Sequence, residues 1–258
     1  MKHKILLFSA LLLLLFSACG KEKASRPADH VISHRGASAE APEHSFRAYD
    51  LAISYGAKYI EQDAVLSKDG TLFVSHDTSA LRMTGVDADY RELTDREIET
   101  LRTAEGEPIL KLEQVFDRYG RDVFYVVELK NGKDGAEAFE KLVREKKIED
   151  RVLVQCTDYG VLAGLEEVFP DMPKLLLVGA QNAFEEALHY PYADVLCVDK
   201  ILMSKKNYNS AHEYGKKFNV WTLNTREEIE KAIAIGVDSY FTNDTALALK
   251  LEKTLRKG

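Results

Sequence analysis

The sequence has no basic cluster. Lysine and arginine total 35 against 42 acidic residues, a formal net charge of −7, so a nucleic-acid backbone meets no electrostatic footprint here. Cysteine is scarce, with three in the chain. Cys156 and Cys197 each sit in an apolar, strand-like run (VLVQC and DVLCVD), which reads as buried free thiols rather than a disulfide framework. No Cys/His spacing points to structural zinc. Apolar stretches long enough to span a bilayer are also missing. Ile5 to Phe16 covers 12 residues, where a permanent span needs about 20. There is no Gly/Ser linker, no internal repeat and no second shift in composition, which argues for one domain.

What is present begins with MKHKILLFSALLLLLFSACG. Lys2 and Lys4 precede the apolar core, and the small residues Ser17 and Ala18 lead to Cys19. This is the three-part pattern of a secretory signal. The ending FSAC resembles the bacterial lipoprotein signal, in which the cysteine becomes the lipid-bearing first residue. Phe16 stands where leucine is usual, and an ordinary signal peptide cut nearby is the alternative. The expected organisation is a signal peptide over 1–18, a lipid-anchored polar tether over 19–28 and a single domain over 29–258. The protein is then exported and membrane-anchored, in the periplasm or at the cell surface, as a monomer or small homo-oligomer.

Short apolar runs alternate with amphipathic stretches along the rest of the chain. The runs are HVIS, KYIEQDAVL, TLFVSH, DVFYVVELK, RVLVQC, PKLLLVG, DVLCVD, FNVWTLN and DSYFTN. Alternation of this kind marks parallel βα units. So many units in one domain predict a TIM (β/α)8 barrel. Nine runs exceed eight, but Lys68-Asp69-Gly70 between two of them is a hairpin signal. The barrel is therefore expected to be irregular around its second and third strands.

Active sites of such barrels lie at the carboxyl ends of the strands. Five runs end in residues able to handle protons, phosphate or metal: His34-Arg35, Glu61 with Asp63, His76-Asp77, Glu128 with Lys130, and Asn224. Glu61 and Asp63 are spaced by two on a strand, so both face one side. Two like charges there need a cation or a proton between them. With Glu128 added, three carboxylates suit one hard divalent cation, Mg2+ or Ca2+, better than zinc. Lys130 either holds a phosphate oxygen or pairs with Glu128. Arg35 offers a planar fork matched to phosphate, and Gly36 lets backbone approach closely. Cleaving a phosphodiester needs a base, an acid and positive charge on the phosphoryl oxygens, and two histidines, an arginine and a carboxylate-bound metal meet that requirement.

HRGAS, PEHSFRAYDLAI, GAKYIEQDAVLSKDGTLFVSHD, VVELK, VWTLNT and GVDSYFTND together make the chain closely similar to the glycerophosphodiester phosphodiesterase family, over nearly its whole length after the leader. The resemblance implies a TIM-barrel hydrolase that splits glycerophosphodiesters into sn-glycerol 3-phosphate and an alcohol, with a divalent cation. It implies His34 and His76 as the acid/base pair, Glu61, Asp63 and Glu128 as metal ligands, and Arg35 and Lys130 on the phosphate. His34 is read as base and His76 as acid, though the two could exchange roles. Many members read PEN where this chain reads Pro42-Glu43-His44; Glu43 is placed beside the site with His44 in support. The family's variable insertion, here Thr78 to Val115, is short, which implies an open pocket. Trp221 is either core or a wall of the glycerol pocket, with Asn224 near a hydroxyl; Tyr159 and Phe241 are further candidates of that kind. Two rivals remain: a phosphatidylinositol-type phospholipase acting on intact lipid, against which the carboxylate trio argues, and a non-catalytic phosphodiester-binding lipoprotein, against which the intact set of both histidines, the three acids and Arg35 argues.

Overall fold

In the computed structural model, residues 29–256 are described; the leader, Cys19 and the tether lie outside them. Nine strands form one sheet: β1 (Val31–Ser33), β2 (Tyr59–Leu66), β3 (Leu72–Val74), β4 (Phe124–Leu129), β5 (Val152–Cys156), β6 (Lys174–Val178), β7 (Val195–Asp199), β8 (Lys217–Trp221) and β9 (Ser239–Thr242). The spatial order is β1-β9-β8-β7-β6-β5-β4-β2-β3, and a parallel β1–β2 pairing closes the ring. Eight parallel strands thus make the barrel. The ninth, β3, runs antiparallel to β2 through the expected hairpin. There Ser67 N–H donates to the Thr71 carbonyl at 2.9 Å, and Gly70 takes φ +84°, a conformation that costs glycine little.

Period-2 alternation explains both layers of the core. On β4, Phe124 and Val126 face the barrel interior with Ile32, Tyr59, Leu175, Val195, Cys197 and Phe241. The intervening Tyr125, Val127 and Leu129 face the surrounding helices. The inward series then changes character towards the carboxyl ends. Tyr59 is followed by Glu61 and Asp63, Val126 by Glu128, Ile32 by His34, and Leu153 by Gln155. The lower layers are apolar filling, and the top layer is polar.

The segment between β3 and β4 carries short helices, Leu81–Thr84 and Asp95–Thr100. It packs on a satellite core of Val65, Phe73, Ala80, Tyr90, Ile98 and Ile109. Short as it is, the insertion is anchored over the β2–β3 hairpin.

Candidate active site

A cavity of about 440 Å³ opens at the carboxyl ends of the strands. His34, Arg35, Glu61, His76, Glu128 and Lys130 line one part of it. Trp221, Phe241, Leu177 and Gln155 line another.

The loop after β1 is tightly constrained. Arg35 and His44 both take φ +60°, in the left-handed region that costs a non-glycine residue energy. The Arg35 N–H donates to Glu61 Oε2 at 2.8 Å. Its guanidinium reaches Glu43 at 3.2 Å and Asp63 at 3.3 Å. Gly36 has φ +83°, and a Cβ there would stand 2.6 Å from the Ala48 carbonyl carbon. Gly36→Ala is therefore expected to destabilise the fold by about 2 kcal/mol or more, measurable as a lowered urea midpoint. An unchanged midpoint would show that the loop yields without cost.

Glu61 and Asp63 are 2% and 1% exposed. Burial and the charge of Asp63 push the Glu61 carboxyl well above the usual carboxylate range. For Asp63 burial acts upward too, but the His44 hydrogen bond and the charges of Lys130 and Arg35 outweigh it and hold the carboxyl well below that range. His44 Nε2–H donates to Asp63 Oδ2 at 2.9 Å, and its Nδ1 accepts from the Tyr49 hydroxyl at 2.9 Å. Lys130 Nζ lies 2.9 Å from Asp63 Oδ1 and 2.5 Å from Glu128 Oε1. Burial, then the Asp63 charge, raise Glu128 to about 7. Lys130 therefore pairs with Glu128 and with Asp63 across the strands, and it also lines the cavity.

Among the described residues, ligating atoms of His44, Glu61 and Asp63 lie within 4.8 Å of one another. Two buried carboxylates whose ionisation is mutually opposed fit a divalent cation. The grouping differs from the expected trio. An imidazole has joined it, and Glu128 shares its charge with Lys130. Asp63 and Glu128 are nevertheless register partners on adjacent strands, and Glu61 and Glu128 line the same cavity.

The two histidines differ in their partners. His34 Nδ1–H donates to Asn243 Oδ1 at 2.7 Å, and the ring meets Phe241 edge-on. Burial, then the charge of Arg35, lower His34 to about 4, so its imidazole is neutral at ordinary pH. His76 is more open, its side chain 41% exposed, and Nδ1–H donates to Asp77 Oδ1 at 2.7 Å. Asp77 also takes the Arg82 guanidinium, whose other end binds Glu43 at 2.7 Å. A continuous chain of ion pairs therefore runs Arg35–Glu43–Arg82–Asp77 and ends in the Asp77–His76 hydrogen bond.

The remaining expected residues divide. Trp221 does line the cavity, fixed by Nε1–H donation to the Cys197 carbonyl at 2.9 Å, and Phe241 lines it too. Glu43 lines a neighbouring cleft instead and braces Arg35. Asn224 does not line the cavity: its Oδ1 is spent accepting the Asn243 N–H at 2.9 Å. Tyr159 stacks on Tyr190 at 4.1 Å. Sequence reasoning missed Asn243, Arg82 and Gln155. The strand-end rule that found His34 also points to Asn243, directly after β9. Arg82 lies in a helix of the insertion and carried no such signal.

Residues 34–247 match the model of the glycerophosphoryl diester phosphodiesterase family. The chain is 30% identical over 248 residues to a glycerophosphodiester phosphodiesterase of Caldanaerobacter subterraneus subsp. tengcongensis, covering 88% of this chain and 98% of that one. A crystal structure of a glycerophosphodiester phosphodiesterase from Thermotoga maritima superposes with a TM-score of 0.73 at 28% identity, covering 86% and 97%. An Oleispira antarctica phosphodiesterase, solved in complex with the product sn-glycerol-3-phosphate, shares the fold with a TM-score of 0.80 at 23% identity, covering 87% and 97%.

Proposed function

Because the chain belongs to the glycerophosphoryl diester phosphodiesterase family, we propose that it hydrolyses glycerophosphodiesters to sn-glycerol 3-phosphate and an alcohol. The observation that carries this reading is the convergence on one cavity of two histidines with different partners, Arg35, Lys130, Glu61 and Glu128, with Asp63 buried behind them. His34, neutral and with Nδ1–H committed to Asn243, offers a lone pair on Nε2 for the proton of the attacking hydroxyl. His76, its Nδ1 hydrogen-bonded to the Asp77 carboxylate, is oriented with Nε2 free to serve the leaving oxygen as the acid. The attacking oxygen belongs to water or to the neighbouring glycerol hydroxyl, the latter through a cyclic phosphate.

Glu61, Asp63 and Glu128 would hold a divalent cation, with His44 orienting Asp63 or joining the ligands. When bound, the cation supplies positive charge at the phosphoryl oxygens. Arg35, already fixed by Glu43 and Asp63, presents donors to the same oxygens. Trp221, Leu177 and Phe241 form an apolar wall for the carbon skeleton of the glycerol. The N-terminal leader supports placing this activity outside the cytoplasm on a lipid anchor at Cys19.

The test is incubation of a soluble form that starts after Cys19 with glycerophosphocholine. Glycerol 3-phosphate is expected to appear, to vanish with EDTA, and to return with Mg2+ or Ca2+. Release indifferent to EDTA would remove the cation from the proposal. No release from folded protein with either cation would favour the lipid-cleaving or binding-only alternatives.

A further inference from the structure

Asn243 has no role in the chemistry so far except as a partner of His34. It follows β9 directly, and β9 is the neighbour of β1 in the closed ring, with Ser33 opposite Thr242. Its backbone is held at both ends. The N–H donates to Asn224 Oδ1 at 2.9 Å, and the carbonyl accepts from Ala39 N–H at 3.0 Å. His34 is tied to the same corner, its own N–H donating to the Thr242 carbonyl at 2.9 Å. With both backbones fixed, the 2.7 Å contact between the Asn243 carboxamide and His34 Nδ1 sets the ring orientation.

We propose that Asn243, held by Asn224, is the positioning residue that makes His34 the base, and that the amide/carboxylate difference between Asn243 and Asp77 divides the labour of the two histidines. The inference rests on the reading of His34 and His76 as the acid/base pair. A carboxamide oxygen accepts Nδ1–H, which leaves the lone pair on Nε2, and it adds no negative charge that would favour imidazolium. A carboxylate at the same atom fixes the same tautomer but stabilises the charged ring. His76 has the carboxylate and His34 the carboxamide. The charged and titratable groups facing His34 are Arg35, Asp63 and His44; beside His76 stand Asp77 and Arg82. Arg35, Glu61, Glu128 and Lys130 border the cavity that both rings share.

The experiment compares wild type, Asn243→Asp, Asn243→Leu and Asn224→Ala on glycerophosphocholine at saturating cation, across pH, with thermal melts to verify folding. Asn243→Asp should keep turnover at high pH and move the acidic limb of kcat/KM upward by about 1–2 pH units. Asn243→Leu should lose about 10²-fold in kcat at every pH with little change in KM. Asn224→Ala should lose less, in the same direction. In the wild type, 15N shifts of His34 should report the Nδ1–H tautomer. Folded Asp and Leu variants whose pH profiles coincide with each other or with wild type would overturn the proposal, and so would an Nε2–H tautomer. Absence of turnover in the wild type would instead overturn the functional reading beneath it. A dead His34→Ala beside unaffected Asn243 variants would overturn the relay alone.

Discussion

Replacing His34 with alanine is expected to lower kcat by about 10²–10⁴-fold, the usual worth of a positioned acid or base. The effect should far exceed any change in KM, because His34 is assigned to proton transfer and Arg35 to the phosphate. The same substitution should leave the fold intact, since the ring lines the cavity. The wild-type pH profile carries the second half of this expectation. Burial and Arg35 lower His34 to about 4, so the base stays unprotonated down to that pH. The acidic limb of kcat/KM should therefore fall near pH 4 rather than at the ordinary histidine value of about 6.5. Stability should respond as well. Between those two values an unfolded chain binds a proton on this residue that the folded chain refuses, so acidification through that window weakens the fold. A limb near 6.5 would show that burial and Arg35 do not hold the base down, and a His34→Ala variant with normal turnover would remove His34 from the mechanism.

Glu61→Gln and Asp63→Asn should both abolish cation-dependent turnover, by at least about 10²-fold, yet move stability in opposite directions. Glu61 is a carboxyl forced upward by burial and by its neighbour's charge. A glutamine removes the repulsion and can still accept the Arg35 N–H. The cation-free protein should then unfold at a higher temperature, by about 2–4 °C for each kcal/mol relieved. Asp63 is the opposite case. Three groups converge on its oxygens: Lys130, Arg35 and His44. Asparagine leaves buried cations uncompensated, at a cost of about 3 kcal/mol. Melts in EDTA give the signs directly, and a shared sign for both variants would contradict this division.

The barrel was legible because its signals are local. Alternation along each strand and helical periodicity between strands gave nine runs, and the nine strands observed include the hairpin announced by Lys68-Asp69-Gly70. The polar end of the barrel was legible for a related reason: the inward position after each apolar layer is polar, and that change is visible within a few residues of His34, Glu61 and Glu128. What was not legible was how those groups pair. Lys130 shares a face with Glu128, but its second partner, Asp63, lies on another strand. Asn224 was assigned to a substrate hydroxyl, yet its oxygen is occupied by a backbone amide 19 positions away. Arg82 stands in a short helix of a loop segment, where nothing local marks it as the link between Glu43 and Asp77. Partners chosen across the ring depend on closure, which periodicity does not encode.

Closure also gives the enzyme a built-in proof of completion. The contact between His34 and Asn243 spans 209 positions, from the first strand to the residue just after the last. Contacts so distant in sequence form only after intervening chain has been ordered. A nascent chain that has exposed His34, the acid pair and His76 already carries most of its ligands and charges. It still has an unoriented imidazole, because the amide that aims the ring arrives with the final strand. Partly made or unzipped molecules are thus predisposed to be silent, and turnover becomes a reporter of whether the first and last strands have met.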